Sequence, residues 1–145
     1  MTADQPSLTL LRSKVRDVPD FPTPGILFKD ITPLLSDHLT MDAALSLLAE
    51  AVKDLTFDVI AAPEARGFIL AAPLARHFGV GLALIRKPGK LPSATRSHTY
   101  SLEYGNDTLE MHADSFEGMD SPKVLVVDEV LATGERPPRQ PNLSK

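Results

Sequence analysis

The sequence predicts an α/β fold in which a parallel sheet is flanked by helices. Three short and continuously apolar runs, at residues 58–62, 81–85 and 124–127, have the length and composition of strands buried on both faces. A helical pattern separates the first two runs, and a loop containing charged residues follows each of the three. Buried strands that alternate with helices indicate a parallel sheet, and no internal repeat competes with this interpretation.

Composition narrows the class of protein. With 145 residues, a net charge of −4 and 43% hydrophobic residues, the chain is expected to form a globular domain, so disorder and general nucleic-acid binding are disfavoured. The absence of cysteine excludes disulfides and thiolate chemistry. The start lacks a basic segment followed by an apolar run, and no stretch approaches about 18 apolar residues. A soluble cytoplasmic protein is therefore expected.

The first third of the chain is predicted to begin with a short segment and a rigid loop. Apolar residues stand at Leu8, Leu11 and Val15 of the short segment. The stretch 21–35 carries three prolines and Gly25, which together forbid a long helix.

Two helices are predicted from the spacing of apolar residues. Thr40 is the expected cap of the first, whose buried face repeats at intervals of three, four and seven residues. That face consists of Met41, Ala44, Leu45, Leu48, Val52 and Leu55. The second helix covers residues 68–78 and is expected to stop at Gly79.

A β-hairpin is predicted in the last third. Residues 99–104 and 108–112 alternate between apolar and polar side chains, and they flank Gly105, Asn106 and Asp107, which are typical turn residues.

Charged residues follow all three predicted sheet strands. In a parallel sheet, ligands bind beyond the carboxyl ends of the strands, so these loops are the first place to look for a site. The loops PEARGF, RKPGKLP and DEVLATG supply Arg66, Arg86, Lys87, Lys90, Asp128, Glu129, Thr133 and Gly134. Lysine and arginine suit phosphates, carboxylates suit hydroxyls, and a divalent metal bridges oxygens. The mixture fits a phosphorylated sugar bound with a metal ion.

The segment VLVVDEVLATG, at residues 124–134, has two interpretations from its residues alone. Its small residues and glycine would let backbone N–H groups close around a phosphate at the start of a following helix. Alternatively, Asp128 and Glu129 simply solvate the end of a strand, and Gly134 forms a turn. Short motifs of this kind leave both interpretations open.

This segment resembles the phosphoribosyl pyrophosphate (PRPP) binding motif of the type I phosphoribosyltransferases. Three further regions are similar to those of the adenine-specific members of that family. FPTPGILFKDITPLL resembles their adenine-side segment, PEARGF their first pyrophosphate-side loop, and RKPGKLP with YSLEYG their next loop and catalytic flexible loop. The four motifs lie in order between about Val18 and Gly134, which makes the resemblance more specific than any single motif.

The resemblance implies a type I phosphoribosyltransferase-like parallel sheet with flanking helices, a small hood segment and a flexible hairpin loop. It implies that Leu27 packs on the purine and that the backbone of Lys29 reads the purine edge. Arg66 would face the pyrophosphate of PRPP, with Lys87 and Lys90 contributing there. Arg86 is implied to act at or across a dimer contact. The residues alone favour plainer roles for three of these: loop charges for Lys87 and Lys90, and core packing for Leu27.

The same resemblance assigns the other half of the site. Asp128 and Glu129 would accept hydrogen bonds from the ribose hydroxyls. The loop around the 5′-phosphate would begin at Ala132, Thr133 and Gly134. Glu103, with Tyr104 beside it, matches the catalytic glutamate of the flexible loop, although its alternating surroundings alone would indicate a solvated strand residue. The four histidines, His38, His77, His98 and His112, show no metal-ligand spacing and are expected at the surface or in packing.

The activity implied is transfer of the 5-phosphoribosyl group from PRPP to adenine with Mg²⁺, giving AMP and pyrophosphate in purine salvage, by a homodimer. No nucleic acid or membrane is expected as a partner. A non-catalytic purine-binding or nucleotide-binding regulatory module on the same fold is the alternative, and salvage of another purine is a third hypothesis that depends on the surroundings of Leu27 and Lys29.

After Gly134 the sequence departs from the family motif. A second glycine, a threonine and a helix of small residues are expected there, but residues 135–145 read ERPPRQPNLSK. A DNA string can be chosen that encodes GGTAAAAAELEQ and, after loss of a single G, encodes GERPPRQPNLSK, so a frameshift is our hypothesis for the change. A natural disordered tail is the alternative. We therefore expect residues 1–134 to be an incomplete phosphoribosyltransferase domain without its last strands and helix. Residues 135–145 are expected to be an aberrant Pro-rich tail, and this chain to be poorly stable and nearly inactive.

Overall fold

The computed structural model describes residues 5–102 and 105–129. The chain divides into two compact units, Met1–Asp54 and Leu55–Lys145. None of the described helices is long and apolar enough to cross a lipid bilayer.

The first unit combines three helices with a two-stranded antiparallel sheet. Strands β1 and β2 pair from Arg16 opposite Asp30 to Pro19 opposite Leu27. Arg16 Nη2 lies 2.7 Å from Asp30 Oδ2, so an ion pair joins the two strands at one end of this ribbon. The predicted rigid loop therefore contains a short strand and one helical turn, as its prolines require. In chain order the elements are α1 (Gln5–Ser13), β1 (Arg16–Pro19), β2 (Leu27–Asp30), α2 (Thr32–Leu35) and α3 (His38–Val52).

Helix α3 begins three residues earlier than the sequence predicted. Asp37, and not Thr40, is the N-cap, since its carboxylate accepts hydrogen bonds from the backbone N–H groups of Leu39 and Thr40. Thr40 is fully buried, and its hydroxyl donates to Leu34 O at 2.8 Å. Leu55, placed on the buried face by the periodicity, lies beyond the helix end and is 55% exposed.

The second unit contains a parallel three-stranded sheet in the order β4 (Gly81–Ile85), β3 (Val59–Pro63), β7 (Val124–Val126). Helix α4 connects β3 to β4, and the antiparallel hairpin β5–β6 stands between β4 and β7 in the chain. The elements are β3 (Val59–Pro63), α4 (Arg66–Phe78), β4 (Gly81–Ile85), β5 (Thr95–Leu102), β6 (Gly105–His112) and β7 (Val124–Val126). The predicted parallel α/β sheet is thus confirmed.

The core lies between the central strand and α4. The first four residues of β3, 59–62, are at most 2% exposed, as expected for a strand covered on both faces. The helix contributes Leu70, Ala71, Leu74 and Ala75, all of them buried. Helix α4 ends at Gly79, whose φ of 67° is the left-handed conformation that the sequence predicted for this stop.

Gly67 allows the start of α4 to approach the ends of the strands. A Cβ at this position would lie 3.2 Å from Pro63 Cδ and 3.3 Å from Val127 O. Neither neighbour belongs to a flexible side-chain end, so a larger residue would push the helix away. The glycine therefore sets the place of Arg66, which precedes it.

The structure differs from the prediction in the burial of one strand and in the extent of another. The run 124–127 was expected to be fully buried, but Val126 is 48% exposed, whereas Val127 is buried. Residues 105–107, predicted as the hairpin turn, belong to β6, where Asp107 pairs with Tyr100. The alternating pattern was correct, but its pairing extends closer to the tip than the turn-like residues indicated.

Candidate functional site

The carboxyl ends of β3, β4 and β7 lie at one edge of the sheet, because the three strands run parallel. Side-chain contacts join the segments that follow the two outer strands to the segment that follows the central one. Arg66, Arg86, Lys87, Lys90, Asp128 and Glu129 all follow these strand ends.

Glu64 links the segments after β3 and β4. Its carboxylate accepts a hydrogen bond from Arg86 Nε at 2.6 Å and another from Lys87 N at 3.0 Å. The backbone of Glu64 is also anchored, because its N–H donates to Ile85 O at 2.8 Å. The hydrogen bond from the Lys87 backbone, followed by the one from Arg86, holds the pKa of Glu64 below its ordinary value. Glu64 thereby fixes the start of the basic loop.

Arg66 and Glu129 link the segments after β3 and β7. Arg66 Nε lies 2.7 Å from Glu129 Oε1. The Glu129 side chain is only 7% exposed, whereas that of Arg66 is 42% exposed. The buried acid therefore fixes an arginine that still presents surface to solvent at the N-terminus of α4.

Asp128 and Glu129 form an interacting acid pair. Burial, then the hydrogen bond with Glu129, raises the pKa of Asp128 to about 6. Burial also opposes ionisation of Glu129, but its hydrogen bond with Asp128 and the nearby Arg66 charge hold the pKa of Glu129 below its ordinary value. A proton held by this pair thus resides on Asp128, whose residue is the more exposed of the two.

Lys87 points its ammonium group at the hairpin. It forms an ion pair with Asp107 on β6, and Tyr100 on β5 donates a hydrogen bond to the same carboxylate oxygen at 3.0 Å. The Lys87 side chain is 50% exposed, so the ammonium group is also within reach of a ligand in solution.

The rest of the basic loop is held by backbone groups. Arg86 Nη1 donates to Lys90 O at 3.3 Å, and Gly89 N donates to Glu110 Oε2 at 3.2 Å. Lys90 itself is exposed, and its charge contributes to the lowered pKa of Glu64. The loop therefore has a fixed path while Lys87 and Lys90 project their charge outward from it.

Leu27 and Lys29 lie on β2 in the first unit. Leu27 is 52% exposed, so it is not part of the core, which was the alternative interpretation from the residues alone. Lys29 Nζ lies 2.5 Å from Asp17 Oδ1 across the β1–β2 ribbon. Five other predicted site residues lie outside the described residues: Glu103, Tyr104, Ala132, Thr133 and Gly134.

Sequence reasoning missed Glu64, Tyr100 and Asp107. Glu64 stands two residues before Arg66 in a motif that had been interpreted for its arginine alone. Asp107 had been interpreted as a turn residue, which hid its role as the partner of Lys87. No three acidic or histidine side chains in the described ranges come together as a metal-binding group.

Comparisons with known proteins give a consistent result. Residues 32–136 match the phosphoribosyl transferase domain family. The adenine phosphoribosyltransferase of Kosmotoga olearia is 58% identical over 124 residues, which are 86% of this chain and 72% of that relative. The enzyme of Thermoanaerobacter sp. is 49% identical over 128 residues, 88% of this chain and 73% of the relative.

Solved structures of similar proteins share the fold. The crystal structure of adenine phosphoribosyltransferase from Thermoanaerobacter pseudethanolicus has a TM-score of 0.81 at 48% identity, covering 88% of this chain and 73% of that one. The Saccharomyces cerevisiae structure, at 32% identity and a TM-score of 0.77, covers 90% of this chain and 76% of its own.

Proposed function

The chain belongs to the phosphoribosyl transferase domain family and, within it, to the adenine phosphoribosyltransferases, and from this premise we propose how its strand-end site works. The reaction of these enzymes transfers the 5-phosphoribosyl group from PRPP to adenine and gives AMP and pyrophosphate, a step of purine salvage. The observation that supports the proposal most is the ion pair between Arg66 and Glu129. It brings a cation into contact with the acid pair at the edge of the sheet.

The cations are proposed to bind the pyrophosphate of PRPP. Breaking the bond between C1′ and oxygen builds positive charge on the ribose and negative charge on the departing pyrophosphate. Fixed positive charge lowers the barrier most where that negative charge develops. Arg66 is fixed by Glu129, and the loop that carries Lys87 and Lys90 is fixed by Glu64, so little rearrangement is needed when the charge appears.

Arg86 has a different proposed role. Its Nε is bound by Glu64 and its Nη1 by the Lys90 carbonyl, so it stabilises the loop on which the two lysines stand. Action at or across a contact between two protomers of a homodimer remains part of the proposal for this residue.

Asp128 and Glu129 are proposed to accept hydrogen bonds from the ribose hydroxyls. An ionised carboxylate accepts hydrogen bonds more strongly than a protonated one, and with its pKa near 6 Asp128 is mostly ionised at neutral pH. Glu129 is ionised and held by Arg66. The pair would thus orient the ribose while the cations engage its pyrophosphate.

Mg²⁺ is proposed as the ion that accompanies PRPP. It is usually held by one or two carboxylates together with substrate phosphates, and the neighbouring carboxylates of Asp128 and Glu129 fit that donor set. When bound, the ion would stabilise negative charge on the pyrophosphate.

Leu27, Lys29 and Glu103 are proposed to act on the purine. The exposed Leu27 offers an apolar surface for a purine ring, and the backbone of Lys29 offers hydrogen bonds to its edge. The yeast relative was solved in complex with adenine and an imino-altritol bisphosphate. Glu103 is proposed to take up or release the proton at purine N9, a task worth on the order of 10²–10⁴ in rate.

The protein is also proposed to be cytoplasmic.

Residues 1–134 are proposed to be an incomplete domain followed by an aberrant tail at 135–145. The residues after Gly134 replace the glycine, threonine and small-residue helix that the motif requires. A phosphate there would lose backbone N–H donors and the positive end of a helix dipole. We therefore propose that this chain catalyses the reaction slowly.

An assay of nucleotide formation tests the function. The full chain is incubated with PRPP, Mg²⁺ and adenine, hypoxanthine or guanine, and the products are separated by chromatography. The proposal predicts AMP as the main product, at a rate far below the kcat of about 10 s⁻¹ that is typical of enzymes. A preference for another purine would contradict the adenine assignment. PRPP or adenine binding with no AMP at all would favour a non-catalytic binding module.

A further inference from the structure

Asp107 holds the ammonium group of Lys87 with a carboxylate that is itself fixed on both oxygens. One oxygen receives Lys87 and the hydroxyl of Tyr100, at 3.0 Å from the latter. The other oxygen accepts the backbone N–H of Thr108 at 2.9 Å. The lysine, by contrast, stands on a flexible four-carbon stem and is half exposed. Of the two partners, Lys87 is the one free to move.

The contact joins two charges that both persist at neutral pH. The hydrogen bond with Asp107 raises the pKa of Lys87, and the hydrogen bonds from Lys87 and then Tyr100 lower the pKa of Asp107. Lys87 therefore presents a full positive charge at the edge where the pyrophosphate of PRPP is proposed to bind.

A pyrophosphate and Asp107 cannot both use Lys87 favourably. Two anions that touch one ammonium group lie within a few ångströms of each other, and their repulsion is strong in a partly desolvated site. Pyrophosphate carries several negative charges and attracts the ammonium group more strongly than a single carboxylate does. The anion with the greater charge should therefore displace the other.

We propose that Asp107 occupies, on Lys87, the place that the pyrophosphate of PRPP takes when substrate binds, so that Asp107 sets the affinity of the site for this substrate. The proposal rests on the proposed role of Lys87 in pyrophosphate binding. Tyr100 is a positioning residue in it, because its hydroxyl keeps Asp107 aimed at the lysine.

The exchange also changes how the hairpin is attached. Arg86 and Glu110 exchange two backbone hydrogen bonds, of 2.8 and 2.7 Å, near the base of the hairpin. Asp107 lies three residues further along β6 towards the tip, where its contact with Lys87 ties this outer part to the loop after β4. When Lys87 turns to pyrophosphate, the base stays attached and the outer part is released.

Binding of pyrophosphate in the presence of Mg²⁺, measured by isothermal titration calorimetry on the full chain, tests the exchange. Asp107→Asn removes the competing charge, and an exposed ion pair of this kind limits the expected gain in affinity to about two- to fivefold. Tyr100→Phe should give a smaller gain in the same direction, and it covers the case in which Asp107→Asn fails to fold. Asp114→Asn is the matched control, since it removes an equal charge from an exposed residue after β6 and should change little.

A Lys87→Met background makes the test specific. Without the lysine, Asp107→Asn should increase pyrophosphate affinity no more than Asp114→Asn does, because Asp107 and pyrophosphate then have no ammonium group to compete for. Weaker or unchanged binding by both Asp107→Asn and Tyr100→Phe would overturn the exchange, as would a gain that persists with Lys87→Met. Failure of the unsubstituted chain to bind pyrophosphate would instead overturn the proposed role of Lys87, and the exchange with it.

Amide hydrogen exchange gives a second readout that needs no substitution in the binding loop. Asp107→Asn should speed exchange at the outer part of β6 while the amides of Arg86 and Glu110 stay protected. Equal exchange in the two proteins would contradict the proposed attachment.

Discussion

Arg66 and Glu129 lie 2.7 Å apart, from Nε to Oε1, although 63 positions of sequence numbering separate them. The contact spans the ends of two neighbouring parallel strands, β3 and β7. It places a half-exposed cation beside an acid pair of which one member is buried. The arrangement gives the site both a group for phosphates and groups for hydroxyls.

The acid pair predicts a pH dependence of stability. Because the pKa of Asp128 rises from 3.8 in the unfolded chain to about 6 in the folded one, the folded state binds more protons between these values. Its contribution to stability is therefore present at low pH and is lost as the pH rises towards 6. Asp128→Asn should remove that loss, so that the melting temperature falls less between pH 4 and 6 than in the unsubstituted chain. An identical pH profile in the two proteins would show that Asp128 is not perturbed.

Glu64 predicts a dependence of the opposite sign. Its pKa in the folded protein lies below the ordinary value of 4.5, so its contribution to stability is present above that value and is lost as the pH falls through the lower, folded pKa. Glu64→Gln should make unfolding less sensitive to acid in this range and should weaken pyrophosphate binding by freeing the basic loop. Glu117→Gln, at an exposed acid, is the control and should keep the acid sensitivity. Thermal unfolding followed by circular dichroism at pH 3 to 6 makes the comparison.

Gly67 predicts a packing effect. Gly67→Ala places a methyl group 3.2 Å from Pro63 Cδ and 3.3 Å from Val127 O, and neither the ring nor the backbone can yield easily. Overpacking should lower the free energy of unfolding by about 1–3 kcal/mol, whereas the better helix propensity of alanine should raise it by about 1 kcal/mol. The variant should therefore unfold at a lower urea concentration. Gly81→Ala is the matched control, because its new methyl would meet Val59 Cγ2 at an ordinary 3.8 Å. Equal urea midpoints for the two variants would refute the close approach.

The residues after Gly134 predict a result at the level of the gene. If a single base has been lost, the DNA that encodes residues 135–145 should contain, in another frame, a Gly-Thr pair followed by small residues. Sequencing the gene and its downstream region checks this directly. A region with no such frame would remove the frameshift proposal and leave the Pro-rich segment as part of the natural sequence.

The strands and α4 were predictable because their signals are local. The continuous apolar run of β3 and the glycine after α4 determine burial and termination without reference to distant residues. The cap of α3 was misplaced because Asp37 and Thr40 are both good capping residues, and only the burial of Thr40 against Leu34 distinguishes them. Exposure of Val126 was missed because an apolar run does not reveal whether each face of its strand is covered.

The site was predictable in part for a related reason. Strand ends and residue types brought Arg66, Lys87 and Asp128 to one edge of the sheet. Pairing between loops was not predictable, because Glu64 binds residues more than twenty positions away, and Asp107 resembles an ordinary turn residue in sequence. Such contacts depend on the packing of the loops and leave no periodic signal.

Calorimetric titration of PRPP with Mg²⁺ shows whether the cations at the strand ends bind its pyrophosphate. The full chain is compared with Arg66→Met and with Arg96→Met, which removes an exposed arginine on β5. We expect Arg66→Met to weaken binding by about tenfold or more, whereas Arg96→Met should bind as the unsubstituted chain does. Equal binding by all three proteins would contradict this expectation.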